Sequence, residues 1–197
     1  MRAAVCAGLG PPEVVVVDEV DSPPLGTGQV RVAVRAASVN FPDVLLVAGE
    51  YQLQVDPPFV PGSELAGVVV EVADDVADLA VGDRVFGTTL VGAFATEAVL
   101  AAPSLTRTPD GVDDRTAAGF GVAHRTAYHV LRSVARVRPG DDVVVLGAGG
   151  GVGLAAVQLA TALGATVTAV ASTEEKLAVA RSFGATHTIG HRSSDLR

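Results

Sequence analysis

The run Gly147-Ala148-Gly149-Gly150-Gly151-Val152-Gly153 stands between an apolar strand-like stretch, 143–146, and an apolar helix-like stretch, 154–160. Glycines let a backbone turn tightly and approach a pyrophosphate closely. The free N–H groups and dipole at the start of the following helix favour negative charge there. Gly147, Gly150, Gly151, Val152 and Gly153 are therefore the candidate dinucleotide cradle. The spacing Gly147-x-x-Gly150-x-x-Gly153 departs from the strict fingerprint, and the competing reading is a strand-to-helix turn that holds no ligand.

The residues downstream narrow the cofactor. A second apolar stretch ends at Ala171-Ser172, followed by Thr173-Glu174-Glu175-Lys176. An NAD-binding unit places Asp or Glu at this end to accept from the ribose 2′-hydroxyl. Here a small hydroxyl residue stands instead, with a lysine within the next turn. Ser172 can hydrogen-bond a 2′-phosphate and Lys176 can supply charge, so NADPH is the expected cofactor. Glu174 and Glu175 count against this unless they face solvent. His191 follows the third strand-like stretch, and is read either as a neighbour of the adenosine end or as a solvated loop histidine.

Other chemistry is poorly supported. His124 and His129, on one helix, point about 140° apart, and His187 and His191, along a strand, stand roughly 13 Å apart. No metal is expected. Cys6 lies in an apolar stretch and reads as core. Ser63, in Pro61-Gly62-Ser63-Glu64-Leu65, does not form a nucleophile elbow.

Two kinds of element must position these residues. Up to about residue 110 the chain reads as short strands (14–20, 30–35, 65–72, 82–87 and 93–100), which suggests a β-barrel or heavily coiled sheet. After Pro109-Asp110-Gly111 the pattern becomes helix 122–134, strand 142–147, helix 151–163, strand 166–171, helix 173–183 and strand 186–190. That β-α-β-α-β order is one half of a doubly wound fold. The expected domains are 1–110 and 111–197.

Composition is consistent with both. Of 197 residues 49% are hydrophobic and 18% charged, enough for a sizeable core. A net charge of −8 argues against nucleic acid or an anionic membrane as partner. One cysteine excludes an intramolecular disulfide, and no apolar run approaches the ~20 residues of a membrane helix. A cytoplasmic protein is expected.

The segments Val39-Asn40-Phe41-Pro42-Asp43-Val44-Leu45, Gly49-Glu50-Tyr51, 61–69 and Thr126-Ala127-Tyr128-His129, together with 146–163, resemble the medium-chain dehydrogenase/reductase superfamily. Within it the chain is similar to the zinc-free NADPH:quinone oxidoreductase (zeta-crystallin-like) branch. Ser63 stands where zinc enzymes of the superfamily carry a histidine ligand, and their four-cysteine lobe is absent. The resemblance implies a GroES-like β-domain followed by a Rossmann domain. It implies hydride transfer to a quinone or α,β-unsaturated carbonyl, without zinc, in a homodimer. By motif match Asn40, Asp43 and Tyr51 would line the acceptor site and Thr126 would lie near the nicotinamide. His191 replaces a tyrosine that often packs by the 2′-phosphate. The family fold continues beyond a third Rossmann strand, so the chain is expected to be a truncated or partial form of it. An acyl-thioester enoyl reductase and a catalytically silent assembly module are the alternatives.

Overall fold

The computed structural model describes residues 1–192. It divides into two compact units, Met1–Gly121 and Val122–Arg197.

In the first unit, strand β1 (Arg2–Cys6) pairs antiparallel with β2 (Val15–Glu19). A five-stranded antiparallel sheet contains β3 (Gln29–Ser38), β4 (Glu64–Val72), β5 (Arg84–Thr88), β6 (Glu97–Ala101) and β7 (Leu105–Arg107), in the order β6-β3-β4-β5-β7. The period-two valines of β3 explain its seat: Val30 and Val32 are wholly buried, against Leu65, Val69 and Val85. Each such side chain contributes roughly 1.5–3 kcal/mol by leaving water. β1 joins this body through bridges from Ala3 to Ala95 and from Cys6 to Phe59. Cys6 is wholly buried beside Val47 and Phe59, as its apolar surroundings suggest.

Gly67 interrupts the apolar run of β4 for a steric reason. It faces Val34 at a register shift in β3, and a Cβ there would lie 2.1 Å from the Ala33 carbonyl oxygen. Such close backbone approach is the usual meaning of a glycine inside a strand. The expected strand 93–100 is shorter in the structure. Only 97–101 pairs with β3, while Ala93 and Phe94 donate their N–H groups to Gly62 and Pro61 carbonyls.

Two helices complete the unit. Helix α1 (Phe41–Ala48) starts at Asn40 and ends at Gly49, whose φ of 73° suits glycine. Helix α2 (Asp114–Ala118) is capped by the Asp113 carboxylate, which accepts from Thr116 N–H at 2.8 Å. Ala117 and Ala118 of α2 pack on Ala66 of β4 within the first unit.

In the second unit, α3 (Gly121–Tyr128) passes into a π-type turn, His129–Val134, rather than continuing as the uniform helix expected over 122–134. Then follow β8 (Asp142–Leu146), α4 (Gly151–Ala162), β9 (Thr166–Ala171), α5 (Glu174–Ser182) and β10 (His187–Gly190). The strands are parallel in the order β10-β9-β8, the expected half of a doubly wound sheet. Val145, Val157, Val167 and Ala169 form its core. Among the described residues β8 pairs with β9 alone, and Val144 and Leu146 are 62% and 72% exposed. No helix among the described residues is long and apolar enough to cross a membrane.

Candidate functional site

The glycine turn has the geometry of an anion cradle. Gly147 adopts a φ of 67°, and Gly150 N–H donates to its carbonyl at 3.0 Å, closing the turn. Gly150 is the N-cap of α4 with no side chain to cap it. The N–H groups of Gly151, Val152 and Gly153 are therefore the orphan donors that begin a helix. Gly153 lets α4 come down on the turn: a Cβ there would lie 2.3 Å from the Gly147 carbonyl oxygen and 2.8 Å from Ala148 Cα. The turn borders a groove of about 890 Å³ along β8, lined also by Val143, Val144 and Leu146. These residues fit a dinucleotide pyrophosphate.

The end of β9 carries the second group. Thr173 caps α5, accepting from Lys176 N–H at 3.4 Å. A Cβ on Gly149 would lie 2.7 Å from Lys176 Cβ and 2.8 Å from its Cγ and Cδ, so the lysine stem rests on the turn itself. Glu174 is engaged by Arg181 at 2.6 Å. Hydrogen bonds from its own N–H and from Thr173 hold the exposed Glu175 carboxyl below its ordinary range. The Lys176 ammonium pairs with no carboxylate among the described residues. Parallel pairing brings β10 alongside, and His191 N–H donates to Ala171 O at 3.1 Å, beside Ser172. Ser172, Lys176, His191 and the glycine turn thus lie at one end of one sheet, the C-terminal edge where doubly wound folds bind ligands.

A second polar cluster lies in the first unit. Asn40 backbone N–H donates to Asp43 Oδ2 at 2.7 Å, and Asp43 N–H donates to the Asn40 backbone carbonyl at 3.0 Å. The Asn40 side-chain amide donates to Glu64 Oε1 at 2.9 Å and, more weakly, to the Ser38 carbonyl at 3.4 Å. Asp43 and Glu64 are 2% and 1% exposed. Burial pushes the Asp43 carboxyl above its ordinary value, and the nearby Glu64 charge pushes the same way. Hydrogen bonding from Asn40 and Ser63 opposes both. Asp43 Oδ1 and the Ser63 hydroxyl are buried without a hydrogen bond of standard geometry.

Asn40 and Asp43 are thus brought together. Tyr51 follows α1, its N–H donating to Leu45 O at 3.2 Å. Thr126 belongs to the second unit, where its hydroxyl donates to Val122 O at 2.6 Å. Membership of Ser63 and Glu64 in this cluster is not visible in the sequence, because only the β3–β4 register, Ser38 opposite Glu64, sets them beside Asn40. Among the described residues no three His, Cys, Asp or Glu side chains gather as a metal site.

Comparison with known proteins agrees with this architecture. The alcohol dehydrogenase GroES-like domain model matches residues 26–129, and the zinc-binding dehydrogenase model matches 151–197. A quinone oxidoreductase-like protein 2 homolog from Nematostella vectensis is 40% identical over all of this chain and 54% of its own length. The polyketide synthase GfsB of Streptomyces halstedii is 51% identical over 149 residues, 76% of this chain and 3% of that protein. The quinone oxidoreductase of Thermus thermophilus, solved also with NADPH, superposes with a TM-score of 0.87 at 35% identity, over 98% of this chain and 60% of that one. The chain spans about half the length of the quinone oxidoreductase-like relatives it matches. Two matched domain models in this order, on a β-domain followed by a parallel sheet with a glycine turn, place the chain in the medium-chain dehydrogenase/reductase superfamily, in its quinone oxidoreductase-like branch.

Proposed function

We propose that the chain provides the acceptor-lining domain and part of the cofactor-binding domain of a zinc-independent NADPH-dependent reductase. Its substrate is a quinone or an α,β-unsaturated carbonyl. The observation that carries this reading is the Lys176 stem lying on Gly149 of the phosphate turn, with Ser172 and His191 at the same strand end and no acidic residue at the tip of β9. This combination favours a 2′-phosphate over a bare ribose.

NADPH, when bound, supplies a hydride from C4 of its dihydronicotinamide. The chain's residues do the rest. The N–H groups of 151–153 hold the pyrophosphate, Gly147 and Gly150 shape the turn, and Ser172, Lys176 and His191 hold the 2′-phosphate. Asn40, Asp43 and Tyr51 line the acceptor side, and Thr126 the nicotinamide side. Residues 1–110 serve as the catalytic domain and 111–197 as the cofactor domain. A lone, buried cysteine suits a reducing compartment, and the cytoplasm is the proposed location.

The polyketide synthase likeness favours a second reading, reduction of an enoyl thioester by the same site. Oxidation of NADPH, followed at its absorbance with 1,4-benzoquinone and separately with a crotonyl thioester, tests both. Turnover with benzoquinone alone supports the first reading, and turnover with the thioester alone supports the second. Turnover with neither, by a protein that contains these two domains, sinks both readings.

A further inference from the structure

Glu64 is a charged residue buried to 1% exposure at the start of a central strand, with no part in the function proposed above. Its backbone is held on both sides, opposite Ser38 of β3 and Thr88 of β5. The fold leaves room for its carboxylate: a Cβ on Gly121 would lie 3.0 Å from Glu64 Oε2 and 2.7 Å from Thr88 Cγ2. A buried carboxylate is costly unless its oxygens are satisfied. The Asn40 amide satisfies one of them at 2.9 Å.

Both groups facing the Asn40 nitrogen, Glu64 Oε1 and the Ser38 carbonyl, are acceptors. They fix which way the amide is turned, an assignment that geometry alone leaves open. Asn40 in turn is tied to Asp43 through its backbone: its N–H donates to Asp43 Oδ2 and its carbonyl accepts from Asp43 N–H. From this geometry we infer that Glu64 is a positioning residue: it locks the Asn40 amide with its nitrogen turned inward, and through Asn40 it holds the first turn of α1 that carries Asp43. Asn40 then has no N–H left for a substrate carbonyl. Its part is to hold Asp43. The consequence for catalysis rests on the acceptor-site role proposed for Asn40 and Asp43.

Two measurements separate this inference from that reading. The first needs no activity: the Asn40 side-chain NH₂ pair is observed by ¹⁵N–¹H NMR in the full chain, in Glu64→Gln and in Glu64→Leu. A glutamine side chain can still accept, so E64Q keeps the pair near its wild-type shifts, whereas E64L moves it to free-amide values with faster hydrogen exchange. Unchanged signals in E64L would overturn the inference. Should E64L not fold, Asn40→Asp sets carboxylate against carboxylate. N40D is predicted to be destabilised, and N40D/E64Q to regain stability because the introduced amide donates to the introduced carboxylate. No regain in the double variant overturns the inference.

The second measurement is benzoquinone turnover. A hydrogen bond to a charged group corresponds to roughly 10- to 100-fold in an equilibrium or rate constant. E64L should lose that much in kcat with NADPH affinity unchanged, E64Q should stay within about threefold, and E64L and N40A should not be additive. An additive loss refutes the coupling. Absence of wild-type turnover leaves the NMR result to decide the inference.

Discussion

Gly153→Ala is the sharpest perturbation of the cofactor turn. The added Cβ would lie 2.3 Å from the Gly147 carbonyl oxygen, 2.8 Å from Ala148 Cα and 3.0 Å from Gly147 C. All three are backbone atoms, so no side chain can swing away. Ordinary contact begins at 3.4 Å, so the start of α4 must retreat from the turn by about 1 Å. Overpacking of this kind costs roughly 1–3 kcal/mol. For a chain of 197 residues that is a fall in Tm of at least about 2 °C. The retreat also pulls the N–H groups of 151–153 away from where a pyrophosphate sits. Loss of one such charge-assisted bond corresponds to roughly 10- to 100-fold weaker NADPH binding. Gly119→Ala, outside the cradle, is the matched control: its Cβ would meet only the Arg115 oxygen, at 3.8 Å, and its φ of −90° suits alanine. Thermal melts and NADPH fluorescence titrations of both variants give the comparison. If G153A melts and binds like G119A, the close approach of helix and turn does not have the role assigned to it.

Other expectations follow from the first unit. The Asp43 carboxyl is raised chiefly by burial, so the folded state holds its proton more tightly than the unfolded chain does. Its stabilising contribution is complete below the ordinary aspartate pKa of 3.8 and is lost as pH rises through the raised folded value. Asp43→Asn keeps an acceptor for Asn40 N–H and removes this penalty. Denaturant unfolding should find D43N at least as stable as wild type at pH 7, with the advantage vanishing toward pH 3. An advantage that grows on acidification contradicts the assignment. Gly67→Ala drives a Cβ to 2.1 Å from the Ala33 oxygen and should cost about 3 kcal/mol or more, seen as a large loss of Tm by circular dichroism.

Sequence reading serves best where the signal is local. The order strand, glycine turn, helix is contiguous, so the cradle at 147–153 and the cap at Thr173 are both legible. So is the burial of Val30 and Val32, because period two states which face they share. Helix α1 is not, since eight residues with Pro42 near the start show little periodicity, although Asn40 followed by Asp43 is a capping signal. Nor is the contact between Asn40 and Glu64, which are 24 residues apart and meet only through the β3–β4 register with its two shifts. The position of Lys176 is legible, but the packing of its stem on Gly149 depends on how α5 lies against the turn. The π-type turn at His129–Val134 leaves no mark in the apolar pattern.

Calorimetric titration of the chain and of Lys176→Ala with NADPH and with NADH tests whether the turn at 147–153 with Lys176 forms a site for a 2′-phosphorylated dinucleotide. NADPH should bind more tightly than NADH, with a preference that weakens as added salt increases screening, and K176A should lose roughly tenfold in affinity for NADPH alone. Equal affinity for the two cofactors, unchanged by K176A, would contradict such a site.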